Sequence, residues 1–95
     1  VLEEWSHRIP VLMPRACNLL VGFEAGAAVE IKVDPDALAE SLVRSLADPA
    51  LPGRGEAGRD LVERAFSWNG VGGDLIATYR WLTGRASRPD CVVID

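Results

Sequence analysis

The sequence predicts an α/β domain: parallel strands flanked by helices and closed by a helical C-terminal cap. Three observations carry that expectation. A short helical pattern runs straight into Val11-Leu12-Met13, an apolar run of the kind that fits an interior parallel strand. A second strand pattern, Ala27–Lys32, leads into a strong helix start at Asp34-Pro35-Asp36. From there to Leu82 the apolar residues recur at helical spacing.

In the first helix Val1, Leu2, Trp5 and Ile9 form one apolar stripe, and Pro10 stops it. Glu3 and Glu4 occupy its first turn, where the positive end of the dipole favours them. Pro14 to Gly26, carrying Pro14, Asn18, Gly22 and Gly26, reads as irregular. In the second strand Val29 and Ile31 share a face. Asp34 then serves as N-cap and Pro35 as the first helical residue, and Leu38, Leu42, Val43 and Leu46 form the apolar face. Asp48-Pro49 closes that helix, and Pro49 to Gly55 reads as a turn.

The next helix is expected over Glu56–Phe66, with Gly58, Leu61, Val62, Ala65 and Phe66 inward and Arg59, Asp60, Glu63 and Arg64 outward. Asp60 and Arg64 have the spacing of an ion pair. Ser67 caps a last helix through Leu82, with Val71, Leu75, Tyr79 and Leu82 inward and Gly84 as its stop. Gly70, Gly72 and Gly73 would each cost that helix about 1 kcal/mol relative to Ala. The helix therefore begins near Asp74, or close packing requires the glycines. Residues 85–95 read as a tail. Trp5 and Trp68 are assigned to the core and Trp81 to an exposed face. Two short strands make a poor sheet, so the segment is expected to be the C-terminal part of a larger domain.

Composition narrows the function classes. The formal net charge of −4 argues against general nucleic-acid binding, which needs a basic stripe. The arginines are scattered among acidic neighbours and read as a solvated face. Cys17 and Cys91 are far apart in sequence, and with a single histidine they cannot furnish a four-ligand zinc site. Two reduced thiols are expected. No basic-then-apolar leader pattern is seen at the N-terminus and no apolar run approaches about 20 residues. The expectation is a cytoplasmic domain.

Four segments resemble a known family. Val1-Leu2-Glu3-x-Trp5-Ser6-x-x-Ile9-Pro10-Val11-Leu12 is similar to the LEAxAxGxPV segment of glycosyltransferase family 4, the retaining GT-B enzymes. Cys17-Asn18-Leu19, Gly22-Phe23 and Gly26-Ala27-Ala28 resemble the loop CNLPEGF…GAA. Asp34-Pro35-Asp36-Ala37-Leu38-Ala39 looks like the DPEALAEAL helix. Gly58-Arg59-x-Leu61-Val62-Glu63-x-x-Phe66-Ser67-Trp68 resembles the closing GRxLVxxxFSW signature. The resemblance spans residues 1 to about 84, and its order and spacing are more specific than any one segment. Three positions depart from it: Arg8 replaces a glycine, Leu20-Val21 replaces Pro-Glu, and glycines open the last helix.

The resemblance implies the C-terminal portion of a GT-B Rossmann-like, nucleotide-sugar-binding domain over residues 1–84. It implies transfer of a hexose from a nucleotide-sugar donor to a glycan or lipid-linked acceptor, with no obligatory metal or other cofactor. Family members carry an E-x7-E motif contacting the donor. Glu3 occupies the place of its second glutamate, which implies hydrogen bonds to the ribose hydroxyls of the donor nucleotide; a carboxylate suits a vicinal diol. The first glutamate would precede Val1. So would the N-terminal GT-B domain, a partner without which the ninety-five residues are expected to turn over nothing. The parent protein is expected in the cytoplasm, with a peripheral position on the inner face of the membrane left open.

The loop after the first strand, where open α/β sheets bind ligands, makes Cys17 and Asn18 candidate cleft residues. The alternative is that they only shape the turn. Glu3 alternatively serves only the helix start. His7, on the polar side of its helix, shows no partner a general base would need. Two other readings of the whole chain are a non-catalytic α/β interaction domain and a degenerate glycosyltransferase remnant.

Overall fold

The computed structural model describes residues 1–94, which fall into two compact units, 1–63 and 64 onward. In the first unit α1 (Leu2–Ser6) leads into β1 (Val11–Met13), then a 3-10 turn (Arg15–Cys17), α2 (Leu20–Glu24), β2 (Ala28–Glu30), α3 (Pro35–Leu46) and α4 (Leu51–Ala65). The unit boundary falls in the last turn of α4. β1 and β2 pair in parallel, with Val11 opposite Ala28 and Met13 opposite Glu30. The mixed helix-and-strand expectation is met by this small parallel sheet and its surrounding helices.

Trp5 is the centre of the first unit. It is fully buried, and its indole N–H donates to the Ala27 carbonyl at 3.1 Å. Gly22 of α2 and Gly58 of α4 both pack against the indole; a Cβ on either would collide with it. Met13, Ala27, Ala28 and Leu61 complete the buried set. Three of the four segments behind the family resemblance therefore meet at one side chain. The other stripe residues, Val1, Leu2 and Ile9, are exposed.

α1 is shorter than its stripe suggested, because the chain leaves the helix two residues after Ser6. Arg8 adopts φ 60°, a left-handed conformation that favours glycine. Its guanidinium reaches Glu56 at 3.3 Å, but both side chains are more than half exposed, so the pair is worth little. Arg8→Gly removes about 1–2 kcal/mol of left-handed strain. It returns roughly 0.5–1 kcal/mol through the looser unfolded chain. A net gain of a few tenths to about 1 kcal/mol is expected, read as a higher urea midpoint at unchanged m-value.

The stretch expected to be irregular contains α2. Gly26 ends this helix at φ 71°, while the Ala27 N–H donates to the Gly22 carbonyl at 2.8 Å, the Schellman closure. In β2 Ala28 is buried, while Val29, and Ile31 just beyond the strand, are half-buried. The Asp34 cap is as expected: its carboxylate accepts from the Ala37 N–H at 2.9 Å, with Pro35 opening the helix.

α3 is inverted relative to its pattern. Ser45 is its buried residue, whereas Leu42, Val43 and Leu46 are 44%, 71% and 78% exposed. α4 begins five residues earlier than predicted. Pro52 lies in its first turn, where a missing N–H costs nothing. Of the glycines that suggested a turn, Gly55 has a packing role instead, lying against the Arg8 carbonyl. The ion pair on α4 is Arg59–Glu63 at 2.7 Å instead of Asp60–Arg64, and Arg59 also donates to the Ser6 carbonyl at 2.8 Å.

In the second unit Ser67 caps α5 (Trp68–Leu82), accepting from the Gly70 N–H at 3.0 Å. The helix thus begins at Trp68 and contains Gly70, Gly72 and Gly73. Gly84 closes it at φ 74°, with the Arg85 N–H donating to the Arg80 carbonyl. None of its residues is buried. Trp68, expected in the core, is 91% exposed, and Val71, Leu75, Tyr79 and Leu82, expected inward, are exposed too. The tail from residue 85 forms no strand among its described residues, and position 95 lies outside them. Cys91 approaches Thr78 Oγ1 and the Asp74 carbonyl, both at 3.8 Å.

Candidate functional site

Parallel pairing gives the sheet a defined carboxyl end, the end at which open α/β sheets bind ligands. From β1 the chain leaves that end through Pro14 into the 3-10 turn. Arg15 anchors this turn: its Nε donates to Glu30 Oε1 at 2.8 Å, and its guanidinium lies 5.8 Å from the centre of the Phe23 ring. Since Glu30 is the last residue of β2, the pair ties the β1 loop to the neighbouring strand at the same end of the sheet.

Cys17 ends the turn as an exposed free thiol. Asn18 follows at φ 55°, ψ 32°, its N–H donating to the Arg15 carbonyl at 2.9 Å. Asparagine tolerates this left-handed position better than most residues. Turn-shaping thus accounts for Asn18 without a ligand, and nothing in the geometry requires more of Cys17.

Glu3 lies exposed in the first turn of α1, and among the described residues its carboxylate has no hydrogen bond or ion pair. No hydrogen bond joins it to Cys17 or Asn18 among the described residues, so the three do not form one polar cluster. His7 is exposed at the C-terminal end of α1.

The sequence reading missed the arginines. Arg59 and Arg54, taken for solvated or turn residues, are both part-buried against backbone carbonyls. Arg59 donates to Ser6, and Arg54 Nη1 reaches Gly26 and Ala28 at 3.4 and 3.5 Å. The one local signal was Gly55 beside Arg54, a glycine that marks close approach to another backbone. Among the described residues no three histidine, cysteine or acidic side chains gather as metal ligands, and no helix is long and apolar enough to cross a membrane.

Comparison with protein families, curated proteins and solved structures finds no match to this chain.

Proposed function

We propose that the chain is the C-terminal part of the nucleotide-sugar-binding domain of a retaining, family 4-like glycosyltransferase. The observation that carries this reading is the meeting at Trp5 of Gly22 and Gly58, which come from separate segments of the resemblance. Motifs scattered at random along a chain have no reason to share a core. Their convergence supports treating three of the four segments as one pattern, and that pattern is what points to a donor site.

On this reading the parent protein transfers a hexose from a nucleotide-sugar to a glycan or lipid-linked acceptor. Glu3 is the residue that acts here: its unengaged carboxylate accepts hydrogen bonds from the two ribose hydroxyls and orients the nucleotide. On this reading α1, as the helix preceding its strand, starts toward the carboxyl end of the sheet, where α/β folds bind ligands. The donor's own phosphate and the positioning of substrates supply the stabilisation of the oxocarbenium-like transition state. The remaining wall of the cleft, with the acceptor contacts, belongs to other parts of such an enzyme.

The test is a titration of the chain with UDP and GDP followed by backbone amide shifts. Shifts confined to α1 and to Pro14–Gly22, weakened at least tenfold in Glu3→Ala, are the expected result; tenfold is about 1.4 kcal/mol, within the range for a charged hydrogen-bond acceptor. Nucleotide-induced shifts that Glu3→Ala leaves intact would remove Glu3 from the site. In the parent protein the same substitution should raise the KM for the donor. Sugar transfer by the isolated chain would contradict the divided cleft.

A further inference from the structure

We propose that the cavity beneath α3 is a binding site for a phosphate-type oxyanion, separate from the donor site. The cavity measures about 270 Å³ and lies within the first unit, between β2 and the inner face of α3, with Arg54 of α4 contributing to its wall. It exists because α3 turns its small polar residues inward. Ser41 and Ser45 line it, while Leu42, Val43 and Leu46 point away. Ser45 is buried as a residue, and among the described residues the buried polar atom left without a partner here is Arg54 Nε.

Four charged side chains border the cavity, two of each sign: Arg44, Arg54, Glu30 and Asp48. They are not equally available. Glu30 is held by Arg15 at 2.8 Å, and Asp48 Oδ1 accepts the Ala50 N–H at 2.9 Å. Neither arginine is paired with a carboxylate among the described residues. A guanidinium carries five donors. Arg54 spends only Nη1, on two carbonyls at the outer limit of hydrogen-bond length, and its buried Nε has no partner. What the cavity offers is therefore an excess of donors: two guanidinium groups and two hydroxyls.

A tetrahedral oxyanion is the ligand class that meets this set. Its oxygens accept from several donors at once, and guanidinium forks match phosphate geometry. A carboxylate has one face and fewer acceptor directions. The cavity adjoins a second depression that shares Glu30, Ser41 and Arg44 and adds Lys32 and Glu40; Lys32 is the cation it offers to a larger phosphorylated molecule.

Titration of the isotopically labelled chain with inorganic phosphate, against chloride at matched ionic strength, tests this. Saturable shifts are expected at the Ser41 and Ser45 amides and the Arg54 side-chain N–H, with a Kd of about 1 mM. Arg44→Gln, an exposed position, should weaken binding at least tenfold. Ser45→Leu fills the cavity with a good helix former and should abolish binding while the spectrum stays dispersed. Should Ser45→Leu unfold the chain, Arg44→Gln decides alone. A hexose 1-phosphate that binds tighter and adds shifts at Lys32 assigns the site to the phosphoryl group of a larger molecule; equal affinity assigns it to the free ion. Shifts that chloride reproduces, or phosphate binding that survives Arg44→Gln unchanged, would overturn the proposal. Neither result bears on Glu3, whose response lies in α1 and the β1 loop.

Discussion

Trp5→Ala should leave the chain without a stable fold. The substitution empties the centre of the first unit, and large-to-small changes at buried aromatic positions cost about 3–5 kcal/mol. It also strands the Ala27 carbonyl, whose partner is the indole N–H. Small domains hold only about 5–15 kcal/mol in total, and one of this size falls at the low end. The expected result is loss of amide dispersion and of a cooperative urea transition. Trp5→Phe keeps most of the bulk and removes only the donor, so a loss of about 1–2 kcal/mol is expected. Trp5→Ala with a transition within about 1 kcal/mol of the parent would mean that the core lies elsewhere.

The second large effect concerns a glycine that a helix-propensity argument would replace. In an unobstructed helix Gly→Ala gains up to about 1 kcal/mol. At Gly55 the added Cβ would fall on the Arg8 carbonyl, and both sides of that contact are backbone. α4 would have to withdraw from the turn joining α1 to β1, taking Gly58 away from Trp5. Gly55→Ala is expected to lose about 2 kcal/mol or more, in the overpacking range. Gly53 lies in the same helix, and a Cβ added there would meet nothing within 4 Å, so Gly53→Ala should be neutral or stabilising. Opposite signs at two glycines two residues apart, read from paired urea titrations, are the signature of the α4 contact. Equal signs would refute it.

These two residues also mark how much was legible in the sequence. The apolar run of β1, the Asp34 cap with Pro35 behind it and the Ser67 cap are local signals, and each appears where the pattern places it. They depend on hydrogen bonds within three or four residues and on fixed proline geometry, so no distant partner can move them. Asn18 was legible as a turn residue, and the β1 loop as a segment leaving the carboxyl end of a strand. Glu3 could be singled out only through resemblance, because a carboxylate in a first helical turn has an ordinary explanation.

The positions that went astray depend on what lies across from them. Pro52, Gly53 and Gly55 look like a turn by composition, yet they lie in a helix, and Gly55 is glycine because the Arg8 carbonyl leaves no room for a side chain there. Arg54 and Arg59 look solvated until the carbonyls of Gly26, Ala28 and Ser6 are placed beside them. α3 carries a regular aliphatic stripe, and periodicity assigns that stripe to the interior; the structure buries Ser45 instead. Periodicity identifies the faces of a helix but does not say which one meets the rest of the unit. The sequence by itself determined the caps, the first strand and the mixture of helix and strand, since these follow from local backbone chemistry. Only the tertiary structure decided which residues are buried, which arginines are engaged and where a cavity opens, because burial is settled by partners distant in the chain.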